Sequence, residues 1–319
     1  MKKNILVTGG AGFIGSNLVE ALLNDERIGI VRVLDNLSTG FKINIEPFLQ
    51  NPNFEFIEND IRDYNVCLHA CDNIQLVSHQ AALGSVPRSI NDPLTTNMVN
   101  ITGTLNVFIA AKEKGVERVV FAASSSTYGD SKSLPKVEDV IGSPLSPYAV
   151  TKYVSELYAK VFKTTYGLNS IGLRYFNVFG PKQSPKGEYA AVIPLFVTSI
   201  LSSQSPTING DGSHSRDFTY VDNAVQANML SLFVQNEIAL NQIYNVACGQ
   251  RTTLKTLWEY LQEITNSTLQ PFYGNERKGD IKDSLASIEK ITTNLGYAAK
   301  VSIKEGLRNT VAYHKKINN

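Results

Sequence analysis

The chain is poor in cysteine. Its three, Cys67, Cys71 and Cys248, are an odd count, which argues against the disulfide framework that staples small secreted domains. Cys67, His69 and Cys71 have the chemistry of metal ligands. The two thiols, however, stand four apart on an expected helix with no second ligand pair downstream, so packed thiols and no metal are expected. Long apolar runs are missing too. None approaches the ~18 residues of a membrane-spanning helix, and no membrane segment is expected. Nor is there an excess of charge: 30 basic and 29 acidic residues give a net charge of +1, too weak a field to gather nucleic acid or an anionic lipid surface. Any anionic ligand has to be gripped by a few placed groups. Met1-Lys2-Lys3 passes directly into strand-forming residues without a small-residue cleavage site, so a cytoplasmic location is expected. Internal repeats and low-complexity segments are also absent.

A chain of 319 residues, 43% of them hydrophobic, can bury a large core in one domain or two interleaved ones. The apolar run Asn4 to Thr8 meets Gly9-Gly10-Ala11-Gly12-Phe13-Ile14-Gly15, and a helical pattern follows with Leu18, Leu22 and Leu23 on one side. Glycines at 9, 12 and 15 allow a tight turn and close approach of backbone N–H groups to a pyrophosphate lying at the helix N-terminus. The spacing is G-x-x-G-x-x-G, and alone it says little. The next strand, Ile30 to Leu34, ends at Asp35, about 20 residues after the last glycine, where a carboxylate is expected to bind ribose hydroxyls. A carboxylate there repels the extra phosphate of NADP, and Asn36 and Leu37 supply no arginine for it, so NAD is expected.

Further alternation predicts strands at Phe54 to Ile57, Leu76 to His79, Arg118 to Ala123 and Ser170 to Arg174, with helices at Tyr64 to Ala70 and about Pro93 to Lys114. Strands alternating with helices imply an α/β fold of Rossmann type, a doubly wound parallel sheet that binds ligands beyond the carboxyl ends of its strands. Asp35, Asp60, His79 to Ala82, Ser124 and Asn177 all follow strand ends and are expected on one rim. The Gly- and Pro-bearing stretch after Phe179 marks the crossing into a smaller lobe. Residues 1–179 are therefore expected to form the dinucleotide-binding domain, with a return to it at about 215–246, and 180–319 mainly a substrate-binding lobe.

At the end of the strand from Arg118 stands Ser124-Ser125-Ser126-Thr127-Tyr128-Gly129, and then Tyr148-Ala149-Val150-Thr151-Lys152. Tyr148 and Lys152 lie one helical turn apart on one face. The lysine ammonium is expected to draw the phenol pKa down towards a range where Tyr148 acts as a base on an alcohol held by Ser124. His214, in a Gly/Ser loop, is expected to be exposed.

TGGAGFIG, SSSTYGD, YAVTK and RYFNVFGP together resemble the extended short-chain dehydrogenase/reductase family of nucleotide-sugar enzymes over essentially the whole chain. HQAALGSVPRSINDP, GEYAAVIP, INGDGSHSRDFTY and RKGDIKDSLASI are similar to strings of its bacterial UDP-N-acetylglucosamine 4-epimerases. The resemblance implies that Tyr148, Lys152, Ser124 and Ser126 are catalytic. It also implies an NAD site formed by Gly9, Gly12, Phe13, Ile14, Gly15, Asp35, Asn36, Ser38, Thr39, Gly40, Asp60, Ile61, Gln80, Ala81, Ala82, Asn100, Ser124, Tyr148, Lys152, Tyr175 and Val178. A UDP-sugar would meet Gly84, Ser85, Ser124, Ser126, Tyr148, Asn177, Ala191, Val192, Asn209, Arg216, Arg277, Asp280 and Ser284. Arg216 and Arg277 would hold the diphosphate, and the small Ser284 would leave room for an N-acetyl group on carbon 2. Ser125 and Thr127 are expected to satisfy the loop backbone.

The implied reaction oxidises carbon 4 of the sugar, lets the 4-keto sugar turn over about its diphosphate, and reduces it from the other face. A homodimer is implied as well, through the helix from Pro93 and the helix of Tyr148. A 4,6-dehydratase would carry an Asp-Glu pair where Ser125 and Ser126 stand. A UDP-glucuronate enzyme would want a cation near Gln183-Ser184, for which Lys182 and Lys186 are the candidates. A non-catalytic NAD-sensing scaffold would usually lack the tyrosine or the lysine.

Overall fold

The computed structural model describes residues 2–185, 190–275 and 283–318. β1 (Lys3–Thr8), α1 (Phe13–Leu23), β2 (Ile28–Asp35), β3 (Phe54–Glu58), α2 (Tyr64–Ala70) and β4 (Leu76–His79) open the chain. α3 (Val86–Asn91), α4 (Pro93–Asn97), α5 (Thr104–Glu113), β5 (Arg118–Ser124), α6 (Pro147–Tyr166) and β6 (Asn169–Tyr175) continue it. The second half holds the short strands β7 (Val178–Phe179), β8 (Thr207–Asn209), β9 (Ser215–Arg216) and β10 (Thr219–Tyr220), the helices α7 (Val192–Leu201) and α8 (Val221–Phe233), and β11 (Gln242–Val246). β12 (Thr252–Thr253), α9 (Leu254–Thr265), β13 (Phe272–Gly274), α10 (Glu289–Leu295) and α11 (Ile303–Asn318) complete it. Among the described residues no helix is long and apolar enough to cross a membrane.

Seven parallel strands form one sheet in the order β11-β6-β5-β4-β1-β2-β3. The chain winds outward from β1 to β3, then crosses back to β4 and winds the other way, so the reversal lies between β1 and β4. In a doubly wound sheet that reversal opens the ligand crevice. Both faces are covered, which explains the nearly continuous apolar strands. Along β1, Ile5 and Val7 enter one core with α1 and α8, whereas Leu6 enters the other with α2 and α5, as a period of two requires.

The helix expected from Pro93 to Lys114 is present with one interruption. Between α4 and α5, Met98–Gly103 form a π-helical segment, the wider turn that single extra residues produce. Asn100 lies in that turn with both ends of its amide bonded to the backbone of Leu83, at 2.8 and 3.2 Å. Cys67 and Cys71 are buried, and burial pushes both thiols up to about 12. His214 departs from expectation: it is only 9% exposed, with its carbonyl accepting the N–H of Leu254 at the start of α9.

α6 has strong ends. The Ser146 hydroxyl accepts the Ala149 N–H at 3.1 Å, Pro147 opens the helix, and Gly167 closes it in the left-handed conformation. One turn beyond Lys152, Glu156 takes two hydrogen bonds from the Arg174 guanidinium, at 2.8 and 2.7 Å, with both side chains nearly dry. The same guanidinium donates to the Glu138 carbonyl and lies 4.8 Å from the Tyr128 ring centroid, while the Tyr128 hydroxyl donates to Asn245 at 2.6 Å. This cluster fixes α6, β6, the serine turn and the end of β11 to one another.

Removing one partner of such a pair strands a buried charge. Glu156→Gln is expected to lower stability by about 3–5 kcal/mol in chemical denaturation; a loss below ~1 kcal/mol would mean that water or another group already balances Arg174.

Candidate active site

A cavity of about 490 Å³ runs along the carboxyl ends of the strands, within the size range of cofactor sites. Every residue assigned above to the cofactor lines it except Asn100, which lies behind the wall. At the β1–β4 reversal the backbones nearly touch. A side chain at Gly9, where φ is +70°, would bring its Cβ within 2.6 Å of the Ala81 nitrogen, and one at Gly15 within 2.1 Å of the Gly9 oxygen. The glycines are therefore required by this crossing, as the sequence spacing suggests. No side chain caps the N-terminus of α1 and no acidic residue occupies its first turn, leaving its positive end suited to a pyrophosphate.

Asp35, 8% exposed at the end of β2, accepts the N–H groups of Ala11 and Leu37 at 2.9 and 2.8 Å. Burial raises its pKa, against the pull of these N–H groups. A carboxylate offers about four lone-pair sites, so capacity for ribose hydroxyls remains. Asp60 is held by Arg62 and Asn36, and the Arg62 guanidinium keeps its carboxyl below the usual range. A glycine crossing, an uncapped helix end and an acidic strand end in one elongated cavity fit NAD.

Ser124, Tyr148 and Lys152 converge at the other end of this cavity. Ser124 Oγ accepts both the N–H and the hydroxyl of Ser126, at 3.2 and 2.9 Å. Its own hydrogen is then directed to the Tyr148 oxygen, and that bond lowers the phenol pKa, although burial raises it more. The sequence expectation of a downward pull from Lys152 therefore meets an opposing cost of burial. Lys152 Nζ lies 5.9 Å from the Tyr148 ring centroid and donates to the Ala122 carbonyl at 2.8 Å; burial brings its pKa down to about 8. His79 is pushed down to about 3, first by burial and then by the Lys152 charge, so it is neutral. The Thr104 hydroxyl donates to the Asn100 carbonyl at 2.6 Å, so His79 Nε2 donates to Thr104 at 2.9 Å and Nδ1 accepts the Thr8 hydroxyl at 2.6 Å. A phenol, a serine and a lysine so arranged can move a proton on and off an alcohol.

The residues assigned to the sugar are more scattered. Gly84 and Asn177 line the cavity; Ser85 caps α3 through the Arg88 N–H, and Ser126 acts on Ser124. Ala191 precedes α7 and Val192 opens it, Asn209 ends β8, and Arg216 lies on β9 beside Ser284, whose N–H donates to the Ser215 carbonyl at 3.1 Å. Arg277 and Asp280 lie outside the described residues. The Thr127 hydroxyl, expected to satisfy the loop backbone, is buried without a hydrogen-bond partner among the described residues. Leu83, Val99 and Gln183 also line the cavity and carried no signal. Val99 belongs to the π segment, and Gln183 lies in the proline turn after the two-residue β7, too short a strand to show as an apolar run.

Residues 5–247 match the NAD dependent epimerase/dehydratase family. A solved structure of a UDP-N-acetylglucosamine 4-epimerase from Methanobrevibacter ruminantium M1, in complex with UDP-N-acetylmuramic acid, is 41% identical with a TM-score of 0.92, covering 99% of this chain and 100% of that one. A UDP-glucose 4-epimerase from Thermotoga maritima, with UDP-glucose, is 38% identical with a TM-score of 0.92, covering 99% and 100%. A putative UDP-glucose 4-epimerase of Methanocaldococcus jannaschii is 37% identical over 316 residues, 98% of this chain and 99% of that protein. With the glycine crossing, Asp35 and the Tyr148–Lys152 pair all on one cavity, the chain belongs to the NAD dependent epimerase/dehydratase family, and its cofactor is NAD.

Proposed function

We propose that this protein interconverts UDP-N-acetylglucosamine and UDP-N-acetylgalactosamine by inverting carbon 4 of the sugar. The observation that carries the reading is the ordered chain from Ser126 through Ser124 to Tyr148, with Lys152 one turn away, at the catalytic end of an NAD cavity. NAD, when bound, supplies the acceptor and donor of hydride at carbon 4. Tyr148 takes the proton of the 4-hydroxyl and later returns one to the 4-keto sugar. With the sugar bound, Ser124 turns its hydrogen from the phenol to the sugar oxygen, and Ser126, by donating to Ser124 Oγ, leaves that hydrogen free to move between the two. Lys152, protonated below about 8, favours the phenolate by its charge. Residues 1–179, with the return at 215–246, would hold NAD. Residues 180–319 would hold the UDP-sugar, with Arg216 and Arg277 on the diphosphate.

The choice of N-acetylated sugar rests on Ser284 and is supported by the Methanobrevibacter relative. Ser125 and Ser126 leave elimination of water without a carboxylic acid, which disfavours a dehydratase. Of the two candidate cations for a glucuronate enzyme, Lys182 is already engaged by Glu20 at 2.7 Å, and Lys186 lies outside the described residues. A homodimer is part of the proposal. Val150, Leu157 and Val161 make an exposed stripe on α6, and Ile90, Leu94 and Met98 are exposed beside it, so the contact would use Val86 to Met98 and not α5, whose apolar residues are buried or half-buried.

Incubation with UDP-N-acetylglucosamine followed by separation of epimers is expected to yield UDP-N-acetylgalactosamine; an inert mixture would overturn the reading. Tyr148→Phe is expected to lower kcat by about 10²–10⁴-fold with NAD still bound. The kcat of the unmodified protein should rise with pH as the phenol ionises. Lys152→Met, which removes a positive charge, should move that limb to higher pH; a limb that stays in place would separate lysine from the phenol. Ser284→Tyr should cut kcat/KM for the acetylated sugars at least ~10-fold and spare UDP-glucose, whereas equal losses would exclude a size filter. Light scattering should give the mass of two chains, and a single-chain mass would remove the dimer.

A further inference from the structure

Behind the catalytic end of the cavity, three side chains close a ring of hydrogen bonds. Tyr175 donates to Gln80 Oε1 at 3.1 Å, Gln80 Nε2 donates to Asn228 Oδ1 at 2.9 Å, and Asn228 Nδ2 donates to the Tyr175 oxygen at 2.8 Å. Asn228 lies on α8 and is fully buried, far from Gln80 and Tyr175 in sequence. Gln80 and Tyr175 both line the cavity.

One carbonyl sets the direction of the whole ring. Asn228 Nδ2 also donates to the Ala224 carbonyl at 2.8 Å, and a carbonyl only accepts, so the Asn228 amide cannot be reversed. Its oxygen then faces Gln80, which must answer with its NH₂, and the second hydrogen of that NH₂ goes to Ser78 at 2.9 Å. Gln80 Oε1 is left to accept from Tyr175. Each side-chain hydrogen of the three is committed. The Gln80 side chain is thus spent within the protein, which leaves its backbone to face the cavity. Tyr175 is held neutral, its pKa pushed up to about 12 by burial, and its hydrogen points to Gln80, so it does not compete with Tyr148 as a base.

The placement matters as much as the direction. Tyr175 is the β6 partner of Ser124 on β5, and Gln80 follows directly on β4, on the other side of β5. The ring therefore braces the two strand ends that flank the one carrying the serine, from a residue on the helix behind them.

We propose that Asn228 is a positioning residue for the cofactor, which through Gln80 and Tyr175 fixes the rim on both sides of Ser124 and so holds NAD in place between turnovers. This rests on the NAD site and not on the identity of the sugar. Its main readout, release of NAD, needs no sugar, so its failure would leave the proposed epimerisation standing, and an inert epimerase assay would leave it standing in turn.

The test is release of NAD from the purified protein after dilution, followed by the NAD remaining on the protein, for Tyr175→Phe, Asn228→Leu and the two combined. Each single variant should release NAD about 10-fold faster, and the double variant should be no worse than the worse single one, because both break the same ring. Tyr175→Phe removes only a hydroxyl and should keep the thermal midpoint within a few degrees; if Asn228→Leu does not fold, Gln80→Leu takes its place in the comparison. Release within twofold of normal in a folded Tyr175→Phe, or effects that simply multiply in the double variant, would overturn the proposal. So would a change in the KM of the UDP-sugar larger than the change in NAD release, since that would place the ring's effect on the sugar side.

Discussion

Tyr148 and Lys152 are one turn apart on α6, the lysine buried and the tyrosine half-buried against the cavity, and the cost of that burial governs the architecture around them. Desolvation favours the neutral form of each, the phenol with its proton and the lysine without. Chemistry on an alcohol needs the opposite ionisation, so the surroundings have to lean against burial without adding competing charge. They do so with neutral groups. The Ser126–Ser124 chain offers the phenol a hydrogen, the Ala122 carbonyl receives the ammonium, and His79, although beside Lys152, stays uncharged. The lysine charge is then the dominant field at that end of the cavity, and a low-dielectric setting magnifies it.

Such an arrangement works only if the groups cannot drift, and the fold supplies that rigidity in two places. On one side, Glu156, Arg174, Tyr128 and Asn245 tie α6 to the serine turn. Asn245 also donates to the carbonyls of Lys136 and Ser287, and its own N–H goes to Glu138, so both ends of its side-chain amide have partners. On the other side, the Asn228 ring braces the strand ends around Ser124. Buried polar networks that are fully satisfied add specificity, and partly satisfied ones are costly; both of these are close to complete.

Much of this was legible in the chain because it is local. Strand ends announce themselves where apolar runs stop at Asp35, His79 and Ser124, and a tyrosine and a lysine four apart share a helix face wherever the helix goes. The glycine string needed only its distance to Asp35. The bracing was not legible, because Gln80 and Asn228 are 148 positions apart and Tyr128 and Asn245 are 117 apart, and neither asparagine sits in a pattern that distinguishes it from a surface residue. The π turn at Asn100 escaped for a related reason: one extra residue in a helical run leaves the apolar periodicity almost unchanged. His214 misled because a Gly/Ser loop normally stays in water, whereas here strand and helix close over it.

The segment around Ser284 is secured by main chain. Ser284 donates its N–H to Ser215, Ser287 donates to Lys136, and Lys136 donates to Leu285, all through backbone atoms. Asp283 and Asp217 add side-chain support, Asp283 by accepting the Ser215 hydroxyl and Asp217 by accepting the Ala286 N–H, whereas among the described residues the hydroxyl of Ser284 takes no part in it. A substitution at 284 therefore changes the local surface without removing a hydrogen bond that the scaffold needs, so this position can vary at little cost to the fold.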